Sequence, residues 1–214
     1  HNVLHTRLYE IDLETLERRP LPLGTDHAYG YPRAPALEWT EDGAALITTR
    51  LEGSTLRLVR VARESAGSWS AMPLAEGSET IDRVALGHGA RSAAIVTSSR
   101  TRPRELWVVD LGRGETRPLA RPNAELAAGW RLARPSAVPV TGPEGDPIDA
   151  WYYPPTFEVE SRRIPLVVYY YGGATPSVRG FVPMHQMLAA NGYGVLVVNP
   201  RGAAGYSLEF ADHN

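Results

Sequence analysis

The chain has 214 residues and a formal net charge of −2, and 43% of its residues are hydrophobic and 21% charged. This composition is ordinary for a globular protein with an apolar core, and the small net charge argues against nucleic acid or an anionic membrane surface as partners. The absence of cysteine excludes disulfides, thiolate metal ligands and a cysteine nucleophile, and no apolar run approaches the roughly 18 residues that span a bilayer.

The chain begins at His1 and has no signal-peptide pattern. We therefore expect its natural N-terminus, with any targeting information, to be missing. The composition fits a soluble protein, either of the cytoplasm or of a secreted or periplasmic compartment.

Short β-strands repeat along roughly the first 120 residues. Three similar apolar segments begin at Leu8, Leu56 and Leu106, at offsets of 48 and 50 residues. Each is followed by a Pro-Leu pair, and these pairs are Pro20-Leu21, Pro73-Leu74 and Pro118-Leu119.

Two further related segments lie between these elements and begin at Leu37 and Val84. Each divides into two strand-like runs at a turn glycine, and the two glycines, Gly43 and Gly89, are 46 residues apart. A period of about 40 to 50 residues with four short strands is typical of a β-propeller blade. The turn from Trp39 to Gly43 fits the inner hairpin of such a blade.

We therefore predict a partial, all-β propeller of about two and a half blades. It would contain the end of one blade, up to about Gly24, and two full blades at roughly residues 35–74 and 81–119. A closed propeller typically has about 4 to 8 blades, so these blades alone would leave sheet edges unpaired. A small β-sandwich formed by the same strands is the alternative.

The strand pattern weakens between Ala120 and Pro143, where four prolines cluster, and we place the connection between two domains there. The predicted bounds are 1–133 for the propeller blades and 134–214 for a second domain. That domain opens with a predicted hairpin, in which a turn precedes a strand that begins at Pro147.

The last fifty or so residues predict a strand, a helix and a second strand. Leu166–Tyr171 is an apolar and aromatic run of strand composition, and Gly172-Gly173 ends it. Helix-compatible residues around 185–190 end at Asn191-Gly192, a helix stop signal, and a second strand of buried type covers Gly194–Val198. Two apolar strands around a helix indicate a βαβ unit in a sheet covered on both faces.

Two segments of this region carry a family resemblance: Pro165–Gly173, which ends in Tyr-Gly-Gly, and Asn199–Tyr206, which is followed by Glu209-Phe210. In order and spacing they resemble the first part of the peptidase domain of the prolyl oligopeptidase family of serine peptidases, which includes dipeptidyl peptidases and acylaminoacyl peptidases. Ala174 stands where many members have proline, and Ala203 where serine is frequent.

The resemblance implies a β-propeller followed by the N-terminal part of an α/β-hydrolase domain, in the order predicted above. It also implies a peptidase that cleaves short peptides through an acyl-enzyme intermediate without a cofactor, with the propeller limiting access to small substrates. The remaining part of the parent chain would be a partner of this segment, and the parent could form a homo-oligomer. An esterase-type α/β-hydrolase and a non-catalytic propeller that binds a partner are the alternatives.

The catalytic triad is expected outside this chain. α/β-Hydrolases place the nucleophile in Gly-x-Ser-x-Gly, with the acid and the histidine after it, and the sequence contains no such pattern. The nearest segment, Gly205–Glu209, lacks the second glycine, and we interpret Ser207 as a loop or helix-cap serine. The resemblance places the serine, aspartate and histidine beyond Asn214, so the 214-residue fragment itself is expected to be inactive.

One catalytic element remains in this chain by resemblance. Family members with a tyrosine at the end of this strand use its hydroxyl as a hydrogen-bond donor to the oxyanion, and the Gly-Gly turn aligns Tyr171 with that position. A phenol is a neutral donor that a rigid strand end can aim in advance. Tyr169 and Tyr170 are interpreted as side chains that fill space around the sheet, which is also the alternative for Tyr171.

The remaining polar residues give weaker signals. Of the six histidines only His1 and His5 have an i,i+4 spacing, without a carboxylate beside them at metal-ligand spacing, so we expect no metal site. His88 is interpreted as a surface turn residue, and His185 as a helix residue that is exposed or hydrogen-bonded. Arg201 is expected to anchor its loop through backbone carbonyls, with binding of a substrate carboxylate as the alternative.

Overall fold

The computed structural model describes residues 5–24, 26–32, 34–64, 67–74, 79–158, 163–171, 176 and 180–212. The first half contains the strands β1 Tyr9–Ile11, β2 Arg18–Pro20, β3 Ala28–Tyr29, β4 Leu37–Trp39, β5 Ala45–Glu52, β6 Thr55–Arg63, β7 Trp69–Pro73, β8 Thr80–Leu86, β9 Ser92–Ser99, β10 Arg102–Asp110 and β11 Thr116–Ala120. The second half contains α1 Ala124–Ala128, β12 Ser136–Thr141, β13 Pro147–Tyr153, β14 Leu166–Tyr170, α2 Pro183–Ala190, β15 Gly194–Asn199 and α3 Leu208–Ala211.

Two antiparallel sheets with the same strand order make up most of the first half. Strands β8, β9, β10 and β11 lie side by side in chain order. In the other sheet β5, β6 and β7 follow one another, and the short strands β3 and β4 both pair with the free edge of β5. A separate hairpin of β1 and β2 precedes the two sheets.

The sequence repeat corresponds to this repeated topology. Leu56 and Leu106 lie in β6 and β10, which are the third strands of their sheets if β3 and β4 are counted as one interrupted strand. The turn glycines Gly43 and Gly89 have φ angles of 66° and 63°, a region that side chains disfavour. The strands on either side of each glycine pair antiparallel, β4 with β5 and β8 with β9, so the turns predicted at both glycines are confirmed. His88 is exposed in the second turn as expected.

One apolar core is shared by the two large sheets of the first half. Leucine and β-branched side chains from both sheets form it, and Ile47, Leu51, Leu58, Ile95 and Val109 are each at most 6% exposed. Burial of one side chain of this size contributes about 2 kcal/mol. This common core holds the two sheets next to each other.

The second half forms one mixed sheet in the order β12-β13-β15-β14. Strands β14 and β15 are parallel with α2 in the connection between them, so the predicted βαβ unit is confirmed. Helix α2 begins with Pro183 and ends before Gly192, whose φ is 86°, as the stop signal predicted. Its buried side packs against Trp151, Val195 and Val197 on one face of the sheet.

The hairpin predicted around the turn at residues 143–146 is confirmed, since β12 pairs antiparallel with β13. Strand β12 lies inside the stretch 120–143, where the strand pattern of the sequence is weak, and it contains Pro139. It is an edge strand, where the missing N–H of a proline is tolerated. One feature of this half differs from the predictions, because the described residues cover β14 on one face only. Leu166, Val168 and Tyr170 on its other face are 54%, 51% and 66% exposed.

The helices are short, with five, eight and four residues in α1, α2 and α3. Helix α1 was not predicted and lies in the connection between the halves. Among the described residues, no helix has the length and apolar character that a membrane crossing requires.

Candidate active site

The carboxyl ends of the parallel strands β14 and β15 form the candidate site. The last residues that pair between these two strands are Tyr170 and Val198. The next residues, Tyr171 and Asn199, therefore follow side by side where both strands end, at the spacing of neighbouring strands. In open α/β sheets this is the end at which ligands bind.

The three consecutive tyrosines have different surroundings. Tyr169 faces α2, where its ring centroid lies 4.8 Å from that of His185, whereas Tyr170 on the opposite face is 66% exposed. Tyr171, the residue expected at the oxyanion position, is 55% exposed at the strand end. The Gly172-Gly173 turn and Ala174 after it lie outside the described residues. Tyr169 is thus partly buried and packs against the core under α2, while Tyr171 is accessible to a ligand.

His185 occupies the buried side of α2. It is 2% exposed, and its ring centroid lies 5.4 Å from that of Tyr153 and 4.8 Å from that of Tyr169. Within the described part of the chain neither ring nitrogen has a hydrogen-bond partner. Burial lowers the pKa of His185 to about 4, because a charged imidazolium would lose its hydration here. The expectation that this histidine is exposed or hydrogen-bonded is therefore wrong.

We expect His185 to make the stability of the protein depend on pH. Between pH 6.5 and about 4 the unfolded chain binds a proton at His185 that the folded chain does not bind, so the free energy of unfolding falls as the pH drops through this window. The loss approaches about 3 kcal/mol, at about 1.4 kcal/mol per pH unit. Urea unfolding of the full-length protein at several pH values measures it. His185→Leu should flatten the dependence, and an equal dependence in both proteins would contradict the assignment.

The segment after β15 is a loop of small residues, Gly202–Gly205, that we call the GAAG loop. All four residues are buried, and Ala204 is part of the core shared by the two first-half sheets. The N–H of Gly53, in the turn between β5 and β6, donates to the carbonyl of Gly205 at 2.7 Å. The loop therefore joins the end of β15 to the first half of the chain.

Residues on both sides of the GAAG loop are anchored. Arg201 forms ion pairs with Glu144 at 2.8 Å and Asp146 at 3.7 Å in the turn between β12 and β13. Arg201 was expected to anchor its loop through backbone carbonyls. The structure shows it anchoring the loop through two carboxylates. Ser207 caps α3, since its hydroxyl oxygen accepts a hydrogen bond from the Phe210 N–H at 2.9 Å. The interpretation of Ser207 as a helix cap is confirmed.

No group of three or more histidine, aspartate or glutamate side chains in the described ranges is arranged to hold a metal ion. His5 lies 3.6 Å from Asp26, which also pairs with Arg7 at 2.6 Å, and burial lowers the pKa of His5. Burial acts to raise the pKa of Asp26, but the Leu208 N–H and the Arg7 guanidinium outweigh it and hold that pKa below its usual value. His1 lies outside the described residues.

No protein-family model matches the chain. The uncharacterized peptidase YuxL of Bacillus subtilis (strain 168) is 30% identical over 113 residues, which are 52% of this chain and 17% of that protein.

Solved structures of peptidases share the fold. A Mycobacterium tuberculosis puromycin-hydrolyzing peptidase matches with a TM-score of 0.75 at 24% identity, over 95% of this chain and 31% of its own. The Pyrococcus horikoshii acylaminoacyl peptidase matches with a TM-score of 0.72 at 22% identity, over 96% of this chain and 30% of its own. A structure from an analysis of two prolyl endopeptidases gives a TM-score of 0.70 at 16% identity, over 96% of this chain and 30% of its own.

The chain therefore has the fold of part of the peptidases that combine a β-propeller with an α/β-hydrolase domain. The structures that share this fold include an acylaminoacyl peptidase and a structure from an analysis of prolyl endopeptidases, so the resemblance to such peptidases extends to the fold. The chain spans less than one third of the length of each of these relatives.

Proposed function

We propose that this chain is part of a serine peptidase of the prolyl oligopeptidase family that cleaves short peptides through an acyl-enzyme intermediate. The observation that carries the proposal is the pair of parallel strands β14 and β15, which end side by side at Tyr171 and Asn199. The relatives are described as peptidases, which supports the same class of reaction.

In finer detail, we assign the first-half sheets and the preceding hairpin to about two and a half propeller blades, and the second-half sheet to the start of an α/β-hydrolase domain. The proposed bounds remain 1–133 and 134–214. Parallel strands are normally covered on both faces, and the exposed apolar face of β14 therefore favours further structure packed on this face in the parent protein. The remaining part of the parent chain would cover this face and supply the triad.

Tyr171 is the catalytic residue that we assign to this chain. In the proposed reaction a serine of the remaining part attacks the peptide carbonyl, and a histidine takes its proton and passes it to the leaving amine. The Tyr171 hydroxyl would donate a hydrogen bond to the oxyanion that forms at the carbonyl oxygen. Such an acyl transfer needs neither a metal ion nor a cofactor.

The full-length protein is expected to react with a fluorophosphonate at one serine and to lose peptidase activity in the same proportion. The 214-residue chain alone is the matched control and should stay unlabelled, because the nucleophile is assigned to the remaining part. Mass spectrometry of the labelled protein identifies the serine. Labelling at Ser207 would contradict its role as a helix cap, and a full-length protein that is not labelled would favour the non-catalytic binding module.

The substrate class separates the peptidase from the esterase. We expect short peptide substrates to be hydrolysed by the full-length protein, and the same fluorophosphonate to abolish this hydrolysis. Hydrolysis of simple aliphatic esters without any cleavage of peptides would favour the esterase-type α/β-hydrolase instead.

A further inference from the structure

A hydrogen-bonded network of four polar side chains connects the two halves of the chain at the end of β15. The Asp149 Oδ2 atom accepts hydrogen bonds from the Ser54 hydroxyl at 2.7 Å and from the Tyr206 hydroxyl at 3.0 Å. The Tyr206 oxygen in turn accepts one from the Asn199 side-chain amide at 2.8 Å. Ser54 and Asn199 are each 1% exposed, so water competes little for these bonds.

The four members come from four different segments. Ser54 lies in the turn between β5 and β6, Asp149 in β13, Asn199 at the end of β15, and Tyr206 directly after the GAAG loop. Asp149 and Asn199 are opposite each other in the antiparallel pair β13–β15. The carboxylate of Asp149 therefore links a turn of the first half to the sheet and the loop of the second.

Packing around Tyr206 fixes the direction of its hydroxyl. Its ring lies against Gly53, where an added Cβ atom would be 3.2 Å from the Tyr206 Cε1 atom. The ring centroid of Phe210 is 4.9 Å from that of Tyr206. Because both the ring and the backbone beside it are held, the hydroxyl needs little further ordering to reach the carboxylate, and a hydrogen bond to a charged group is about twice as strong as a neutral one.

We infer that the side chains of Ser54, Asp149 and Tyr206 are positioning residues for the site at Tyr171, an inference that rests on the proposed function. Asn199, which donates to Tyr206, is the last residue of β15 and directly follows Val198, which pairs with Tyr170 of β14. The network fixes this end of β15, and with it the strand end that carries Tyr171, relative to the first half of the chain. A displacement of about 1 Å at a catalytic group can reduce the rate about a hundredfold.

The test is a double-mutant cycle of Ser54→Ala and Tyr206→Phe in the full-length protein. We expect each single variant to lower kcat about tenfold through a small displacement of the site, with KM changed less than about twofold. The double variant should lose less than the product of the two effects, because both hydroxyls act through Asp149. The kcat values are expressed per active site titrated with a fluorophosphonate, since a purely structural role would reduce the number of active sites and leave the turnover of each unchanged.

Two matched controls remove the same groups elsewhere. Ser70→Ala removes a hydroxyl that donates to Glu64 at 2.6 Å. Ser70 lies in β7, the outer strand of the sheet whose β5–β6 turn contains Ser54. Tyr193→Phe removes the hydroxyl of a tyrosine that directly precedes Gly194, the first residue of β15, at the end of the strand away from Asn199. Both controls should keep kcat per titrated site within about twofold of the wild type, as expected for surface substitutions away from a site.

The possible outcomes separate a failure of the positioning role from a failure of the proposed function. A wild-type protein that is labelled, with unchanged kcat per site in both single variants or with effects that multiply in the double variant, would overturn the network alone. A wild-type protein that is neither labelled nor active on peptides would overturn the proposed function and the network with it. Ser54→Ala removes one oxygen atom and carries the test by itself if Tyr206→Phe does not fold.

Discussion

Tyr171→Phe is expected to lower kcat of the full-length protein about a hundredfold and to leave both KM and the thermal midpoint unchanged. Loss of one oxyanion donor raises the barrier by about 3 kcal/mol, which corresponds to this factor. Tyr171 is 55% exposed at the end of β14, so removal of its hydroxyl has little effect on folding. Steady-state kinetics on a short peptide, together with calorimetry, measure the two effects separately.

Tyr170→Phe is the matched control for this experiment. The two tyrosines are adjacent in sequence, but Tyr170 is on the face of β14 opposite to α2 and has no assigned role in the reaction. We expect its substitution to change kcat less than about twofold. Full turnover in Tyr171→Phe would show that the oxyanion assignment is wrong, and equal losses in both variants would show that the effect is not specific to the strand end.

Much of the fold could be predicted because its signals are local. Turn glycines such as Gly43 and Gly89 are required by the backbone conformation itself, and a repeat of about 50 residues is visible without a structure. Strand β12 was implied only as the first strand of the hairpin before Pro147, because Pro139 interrupts its own strand pattern. The short helix α1 could not be predicted, since an isolated segment of five residues has no helical period to detect.

The site was less accessible to prediction from the sequence. Tyr171 was assigned through a family resemblance, and this assignment stays a prediction. Ser54 and Asp149, which are 95 residues apart, were missed because no local pattern brings them together. The burial of His185 was missed for the same reason, since this helix residue is covered by Tyr153 of β13 and Tyr169 of β14. A signal was present in the GAAG loop, where four small residues after a strand indicate close packing of the backbone.

Gly205→Ala is expected to destabilise the full-length protein by about 4 kcal/mol, because two separate costs add. The φ angle of Gly205 is +99°, and an added Cβ atom would lie 2.5 Å from the Gly53 carbonyl oxygen and 2.7 Å from the Leu51 Cγ atom. The left-handed backbone costs about 1–2 kcal/mol for a residue with a side chain, and overpacking costs about 1–3 kcal/mol. The Gly53 turn cannot easily move aside, since its N–H is bonded to Gly205 itself. Urea unfolding measures the loss.

Gly145→Ala separates the two costs. Gly145 lies in the turn between β12 and β13 with a φ of +86° and has no neighbouring atom within 4 Å of an added Cβ. Its substitution should therefore cost only the backbone part, about 1–2 kcal/mol, and the difference between the two variants measures the contact between the GAAG loop and the β5–β6 turn. Equal losses would contradict that contact. A larger loss at Gly205 means that the halves of the chain meet without a gap there, which is the condition under which the side chains of Ser54 and Tyr206 can hold the end of β15 in place.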